Sequence, residues 1–596
     1  MLRNLVVENF KSIGAKVEVD LAPLTIVTGS NSSGKSTLLQ CMLVLLQTLR
    51  HSSPERQLVL NGPLTQLGDF DDILHVGSKN RLVSIGLNVA PPAPDDDTPQ
   101  ALMRKARVPV FVECQWSFTD RPLRSDASAT ESKTFPSVHS LAIDGYFESG
   151  ETYDPTRLRI DRHSWTAERR RAKEGYPDNL PQRSLQSLSW SVKTDPKLSA
   201  DVRGVAFDHC LPAELTGKFD IQQEMARHLL ETVTIARTSD IASPTDWQFF
   251  EELWKIVVDR VLSPLKVDSS GLESEPTIAQ VRKMIQDQPV APRKRLTATI
   301  RAETETILRQ FRAASEPAPW LFVVPLAEKY DRSISAVSDA ILNLRYLGPL
   351  RVQPAPIYPV ATTLGTEDVG PSGEWTASVL DTYKNKPVTF IPPNEIPFSS
   401  LAVPQVTLPL TEAVQLWMSY LKVADEVATK DRGSLGHELT VRNSPSLPHL
   451  ALTHVGVGVS QCLPVVVSLL LAPSHSMTLL EQPELHLHPA VQSRLGDFLL
   501  AMTASGRQCF VETHSEYLIN RLRRRIAESE GNDVRDQVSL LFAENPDGQS
   551  TFRTVEVNEY GAILNWPEGF FDDTQDDIER LLSASHRKRS VNARRN

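Results

Sequence analysis

The sequence predicts an α/β fold: a parallel-sheet core in two halves, an antiparallel β-subdomain beside it, and a helical insertion between the halves. Three observations predict it. Residues 29 to 36, Gly-Ser-Asn-Ser-Ser-Gly-Lys-Ser, spell a phosphate loop of the form G-x-x-x-x-G-K-[ST] between a strand signal and a helix signal. Late in the chain, two apolar runs, Met477-Thr-Leu-Leu-Glu481 and Gln508-Cys-Phe-Val-Glu512, each pass abruptly into polar residues, as strands ending at a site do. Between these landmarks the apolar spacing has a period of two, then changes to helical.

Taken in order, Met1-Leu-Arg-Asn-Leu-Val-Val enters a strand directly, without the charged and apolar regions of a secretion signal, so a cytoplasmic protein is expected. Leu24 to Thr28 reads as a buried strand and Ser36 to Leu49 as an apolar helix. Gly29 and Gly34 let the loop between them wrap around phosphates, with Asn31, Ser33 and Thr37 belonging to the same turn. Lys35 is placed to reach the β- and γ-phosphate oxygens, and the Ser36 hydroxyl to ligate Mg²⁺. The chain is therefore expected to bind a nucleoside triphosphate. Gln66 to His75 reads as a loop near the nucleotide, without an assignable role.

Residues 81–89, 108–118, 138–147 and 185–192 alternate apolar and polar positions, with polar and Pro-rich breaks such as 90–97, and predict an antiparallel sheet. Residues 224–236, 247–261, 277–286, 296–314 and 333–344 show helical spacing but no sustained heptads, which predicts a compact helical insertion rather than a coiled-coil arm. Val455-Gly-Val-Gly-Val-Ser-Gln461 leads into an apolar helix whose first turn, with the Ser460 hydroxyl, suits an anion. Residues 463–471 read as buried helix, and 538–542 and 551–557 as closing strands before a turn at Trp566. The expected divisions are an N-terminal lobe at 1–90, a β-rich subdomain at 91–209, the insertion at 210–344, a C-terminal lobe at 345–575 and a basic tail at 576–596.

With 596 residues, 40% of them apolar and 23% charged, the chain has the composition of a soluble protein of several domains. Its apolar runs fall short of the roughly 18 residues a membrane helix needs, so no membrane partner is expected. Five scattered cysteines, Cys41, Cys114, Cys210, Cys462 and Cys509, suggest neither disulfides nor a zinc site. A net charge of −10 opposes a general electrostatic grip on nucleic acid and leaves only local basic patches as candidate contacts. These are Arg169 to Arg171 with Lys173, Arg521 with Arg523 to Arg525, and the tail with Arg587, Lys588, Arg589, Arg594 and Arg595. The second reads as a solvated helix face, and the tail, following an acidic stretch from Asp572 to Glu579, as a disordered segment.

The phosphate loop, the long insertion, the Gly/Ser segment before a helix, Glu481-Gln-Pro-Glu-Leu-His-Leu-His-Pro489 and Glu512-Thr-His-Ser515 together resemble a known family. So do Asn9-Phe-Lys-Ser12, Tyr346-Leu-Gly-Pro-Leu-Arg351, Val369-Gly-Pro-Ser-Gly-Glu374 and Asn565-Trp-Pro-Glu-Gly-Phe570. The family is that of the ABC-type AAA ATPases of the OLD-like (overcoming lysogenization defect) group, relatives of SMC, Rad50 and RecF heads. The resemblance covers roughly residues 1 to 90 and 345 to 575. It implies an ABC-type P-loop NTPase head that uses ATP and Mg²⁺, with Glu481 as the Walker B metal carboxylate beside Ser36 and His514 as the switch histidine. Gly456, Gly458 and Ser460 would be the signature that caps the ATP of a second copy in a head-to-head homodimer or higher homo-oligomer.

Gln482 departs from the wider ABC pattern, which has a glutamate general base at that place. An amide orients water but takes no proton, so slow hydrolysis is expected, with Glu484 or His514 as helpers. His486 and His488 fall where the family has a dimer-contact loop, and no metal is expected on them. The segment after His514 is too short for the Toprim nuclease that many OLD proteins carry. An ATPase controlling a separate effector, plausibly a nuclease, is therefore expected, similar to the ATPase subunits of antiphage systems such as Septu. The alternative is a RecF- or SMC-like ATPase of DNA repair or maintenance that closes around duplex DNA.

Overall fold

The computed structural model describes residues 1–91, 108–120, 135–149, 152–164, 166–198, 201–234, 247–315, 319–360, 367–396, 403–444, 446–565 and 580–588. At its centre lies a six-stranded sheet in the order Arg345–Leu347, Met477–Glu481, Gln508–Glu512, Leu24–Gly29, Val538–Glu544, Thr551–Val555. The first five strands run parallel and the last is antiparallel. The middle strands are apolar almost throughout because both faces of the sheet are covered, as parallel sheets require. Their side chains alternate between two cores. Leu24, Ile26, Leu480, Val511 and Leu540 face one, with the helices Gly458–Leu471 and Pro489–Ala504. Val27, Leu479, Phe510 and Leu541 face the other, with the helix Lys35–Leu49.

That second core is closed by a seven-stranded antiparallel sheet, ordered Val17–Asp20, Leu2–Glu8, Val83–Val89, Phe111–Thr119, Ser137–Ser149, Thr152–Arg162, Trp190–Asp195. The helix after the phosphate loop thus lies between two sheets and is buried nearly all round, which explains why its sequence is apolar on every face. A fold of α/β type with an adjoining antiparallel sheet is what the sequence predicts.

Several local expectations are corrected. Residues 185–192 are not one strand: Pro181 sets the start of a helix at Gln182–Ser187, and the strand begins only at Trp190. The strand Thr152–Arg162 escapes sequence patterning because Arg and Asp side chains crowd it; Arg159 pairs across to Asp144 on the neighbouring strand, its Nη2 lying 2.6 Å from Oδ2. The helical insertion is entered and left through a β-ribbon, since Leu211–Asp220 pairs with both Asp201–Asp208 and Pro319–Val324. Its helices Ile221–Thr234, Glu251–Val257, Ile278–Gln286 and Val290–Ala314 share a core of their own. The helix Glu328–Leu342 instead packs into the core of the antiparallel sheet.

The cluster at Arg521–Arg525 is only in part a solvated face: Arg524 is exposed, whereas Arg521 and Arg525 turn inward. Arg525 Nε donates to the fully buried Asp497 at 2.7 Å, and Arg521 Nε lies 3.2 Å from the same carboxylate. Arg170, from the first basic cluster, is buried too and donates to the carbonyls of Leu188 and Trp190. Arg587 and Lys588 close an exposed helix over 580–588, where disorder is expected from sequence; Arg589, Arg594, Arg595, the Asp572–Glu579 stretch, Trp566 and positions 92–97 lie outside the described residues. All five cysteines are buried and unpaired. Among the described residues no helix is long and apolar enough to cross a membrane.

Candidate functional site

The parallel strands Leu24–Gly29, Gln508–Glu512 and Met477–Glu481 end side by side, and the phosphate loop rises from the first. Gly29 has φ +140°, and a Cβ there would sit 2.2 Å from the Ala543 carbonyl. Gly34 has φ +90°, and its Cβ would meet Ser550 Oγ at 2.1 Å and Ser12 Oγ at 2.7 Å. Only glycine fits either place. Ser550 Oγ donates to Ser12 Oγ at 2.7 Å, Ser12 Oγ lies 3.3 Å from Thr37 Oγ1, and Asn545 Nδ2 donates to the Ser32 carbonyl at 3.0 Å. The loop is therefore clamped from the N-terminal turn at Ser12 and from the closing strands.

The cleft in front of it holds about 430 Å³ and is lined by Lys11, Ser12, Asn31 to Thr37, Gln40, Gln482, Glu512 and His514. Lys35 Nζ donates to the carbonyls of Gly29 at 3.1 Å and Ser30 at 2.6 Å. Burial lowers its pKa, and the Glu512 carboxylate opposes that shift. Lys11 Nζ donates to Gln40 Oε1 at 2.9 Å, adding a second cation at the cleft.

Ser36 Oγ donates to Glu512 Oε2 at 2.8 Å. Glu481, its neighbour in register on the next strand, is absent from the cleft lining and instead accepts from the Tyr346 hydroxyl at 2.9 Å. Burial, and then the nearby Glu512 charge, raise the Glu481 carboxyl to about 7. Gln482 follows with φ +43°, a left-handed conformation uncommon outside glycine, and its N–H donates to the Glu512 carbonyl at 2.7 Å. This turn directs Gln482 into the cleft lining. Buried Glu484 accepts from the His514 N–H at 2.7 Å and so fixes the backbone that carries the histidine. Burial, then the Lys35 charge, lower the His514 pKa.

The structure thus brings together Asn31, Ser33, Gly34, Lys35, Ser36, Thr37, Gln482 and His514 at one cleft, with Gly29 at its base. It does not bring Gly456, Gly458 or Ser460 to that cleft. Gly456 precedes the helix Gly458–Leu471, Gly458 and Ser460 lie in its first turn, and Ser460 Oγ is turned back onto the Val457 carbonyl at 2.8 Å instead of being displayed to an anion. His488 caps the helix Pro489–Ala504 through Nδ1, which accepts from the Ala490 N–H at 3.2 Å. Among the described residues no group of three His, Cys, Asp or Glu side chains forms a metal cage. Sequence reasoning gave no role to Lys11, Gln40 or Glu512. Glu512 carries the same signal as Glu481, an apolar strand ending in an acid, and could have been weighed beside it.

Three family models match parts of the chain: "AAA ATPase domain" over residues 1–98, "AAA domain, putative AbiEii toxin, Type IV TA system" over 429–520, and "Protein of unknown function (DUF3696)" over 535–581. The two AAA stretches, far apart in sequence, supply the two walls of the cleft. A search of curated proteins finds no match. Solved structures similar to this chain include an SMC head bound to the C-terminal winged-helix domain of ScpA, at 10% identity over 94% of this chain and 98% of that one, with TM-score 0.36. An SMC head with an extended coiled coil bound to the C-terminal domain of ScpA, derived from Pyrococcus furiosus, gives 11%, 97%, 99% and 0.32. The SMC head domain from Thermotoga maritima gives 10%, 93%, 99% and 0.29.

Proposed function

We propose that the protein is an ATP switch of the ABC type. The observation that carries this reading is the convergence, on one cleft, of a clamped phosphate loop from residues 29–36 with Gln482, Glu512 and His514 from the other end of the chain. In it the loop N–H groups and Lys35 bind the triphosphate, and the oxygen donors of Ser36, Glu512 and Glu481 suit Mg²⁺, a hard cation that takes one or two carboxylates and completes its shell with phosphate and water. When bound, Mg²⁺ neutralises charge on the β- and γ-phosphates. Gln482 and His514 border the position from which a water would attack. With an amide at 482, hydrolysis is slow and the ATP-bound state long-lived.

In that state two copies associate head to head, and Gly456, Gly458 and Ser460 of one close on the triphosphate of the other. That role requires the Ser460 hydroxyl to leave the Val457 carbonyl to which it donates within one chain. The dimer controls a separate effector, a nuclease in the preferred form, in bacterial antiphage defence. Support for this last step comes from the sequence resemblance to Septu-type ATPase subunits and from the toxin–antitoxin wording of the matched AAA model. Equilibrium binding of a fluorescent ATP analogue and phosphate release, each measured for wild type and Lys35→Ala, test the ATPase reading. Loss of both in a folded Lys35→Ala protein is expected; unchanged binding and turnover would overturn it.

A further inference from the structure

We propose that Glu512, rather than Glu481, is the carboxylate that directly ligates the nucleotide's divalent cation together with Ser36. This deepens the ATP–Mg²⁺ reading above and rests on it.

Glu512 Oε2 stands 2.8 Å from Ser36 Oγ, the hydroxyl that the phosphate-loop motif assigns to the metal. Mg²⁺ holds its oxygens at about 2.0–2.1 Å in an octahedron, so two adjacent ligand oxygens are about 2.9 Å apart. The Ser36–Glu512 pair already has the length of one octahedral edge. A cation placed against both atoms replaces the hydroxyl hydrogen bond without moving either side chain far.

Glu481 is less well disposed. One of its oxygens is taken by Tyr346, and among the described residues lining the cleft Glu512 is the sole carboxylate. The strand ending at Glu512 lies between the phosphate-loop strand and the strand ending at Glu481. Glu481 then acts as a positioning residue beside Glu512, anchored by Tyr346.

The test uses the full chain with a non-hydrolysable ATP analogue and Mn²⁺ as probe, its affinity read by electron paramagnetic resonance. Glu512→Gln is expected to weaken Mn²⁺ binding by more than tenfold, and Glu481→Gln by less. Analogue binding in excess EDTA should not weaken in either variant, because the loop and Lys35 remain and a negative charge near the triphosphate has been removed. Should Glu512→Gln fail to fold, Glu512→Asp takes its place; its carboxylate, withdrawn by one methylene, is expected to weaken Mn²⁺ binding measurably. Wild-type Mn²⁺ affinity in the Glu512 variant, or a loss in Glu481→Gln as large or larger, would overturn the assignment while leaving the ATP site intact. Failure of the wild type to bind the analogue at all would remove the ATP reading itself, and the assignment with it.

Discussion

Replacing Gln482 by glutamate restores a proton acceptor at the cleft and should accelerate ATP hydrolysis. Gln482 lines the cleft, and its left-handed backbone is held by the hydrogen bond from its N–H to the Glu512 carbonyl, so the substitution keeps the geometry while changing the amide to a carboxylate. A positioned general base is worth about 10²- to 10⁴-fold in rate, or roughly 3–5 kcal/mol at 1.36 kcal/mol per tenfold. The new carboxylate would share the cleft with Glu512, and their like charges repel. That raises the new pKa above the ordinary glutamate value, toward the range an effective base needs at neutral pH. The repulsion also weakens the ground state of the site, so the expected gain is at the low end, about 10²-fold. Phosphate release at saturating ATP–Mg²⁺, compared among wild type, Gln482→Glu and Gln482→Ala, measures it. Wild-type turnover of many per second, with no acceleration in Gln482→Glu, would refute the reasoning.

Two further outcomes follow from the same geometry. Because the folded protein raises Glu481 from 4.5 to about 7, the native state binds more protons than the unfolded chain between those values, and nucleotide-free, metal-free stability should fall as pH rises through that window. The loss amounts to roughly 3 kcal/mol at most, and denaturant titrations at pH 5 and pH 8 should show it shrink in Glu481→Gln; a pH-independent difference between the two proteins would contradict it. Asp497 is fully buried and accepts from Tyr420 at 2.6 Å as well as from Arg525 and Arg521, tying the helix Glu516–Glu528, which follows His514, to the helix Pro489–Ala504. Asp497→Ala leaves the buried Arg525 only its pairing with Glu528 and should cost about 1.5–3 kcal/mol in chemical denaturation; a change below about 1 kcal/mol would show the cluster to be solvated.

How much of this was legible in the sequence depends on range. The phosphate loop could be read whole because its residues are contiguous and each glycine answers a local backbone demand. The apolar runs ending at Glu481 and Glu512 could also be read as strands. Their order in the sheet could not, because nothing local says that the later strand inserts between the other two, nor that Glu512 is the carboxylate bonded to Ser36. Lys11 reaches the cleft through a turn with φ +52° whose N–H bonds to the Ile73 carbonyl, a contact without a sequence signature. Arg521 and Arg525 resemble a solvated face until the helix carrying Asp497 is packed against them. The helix at Gln182–Ser187 was masked by apolar alternation, although Pro181 marked its start.

Mass photometry of the purified protein with and without ATP–Mg²⁺, run beside Lys35→Ala, tests the central claim most directly. An ATP-dependent shift from monomer to dimer that Lys35→Ala loses is the predicted result. An oligomer indifferent to nucleotide, identical in both proteins, would contradict the switch.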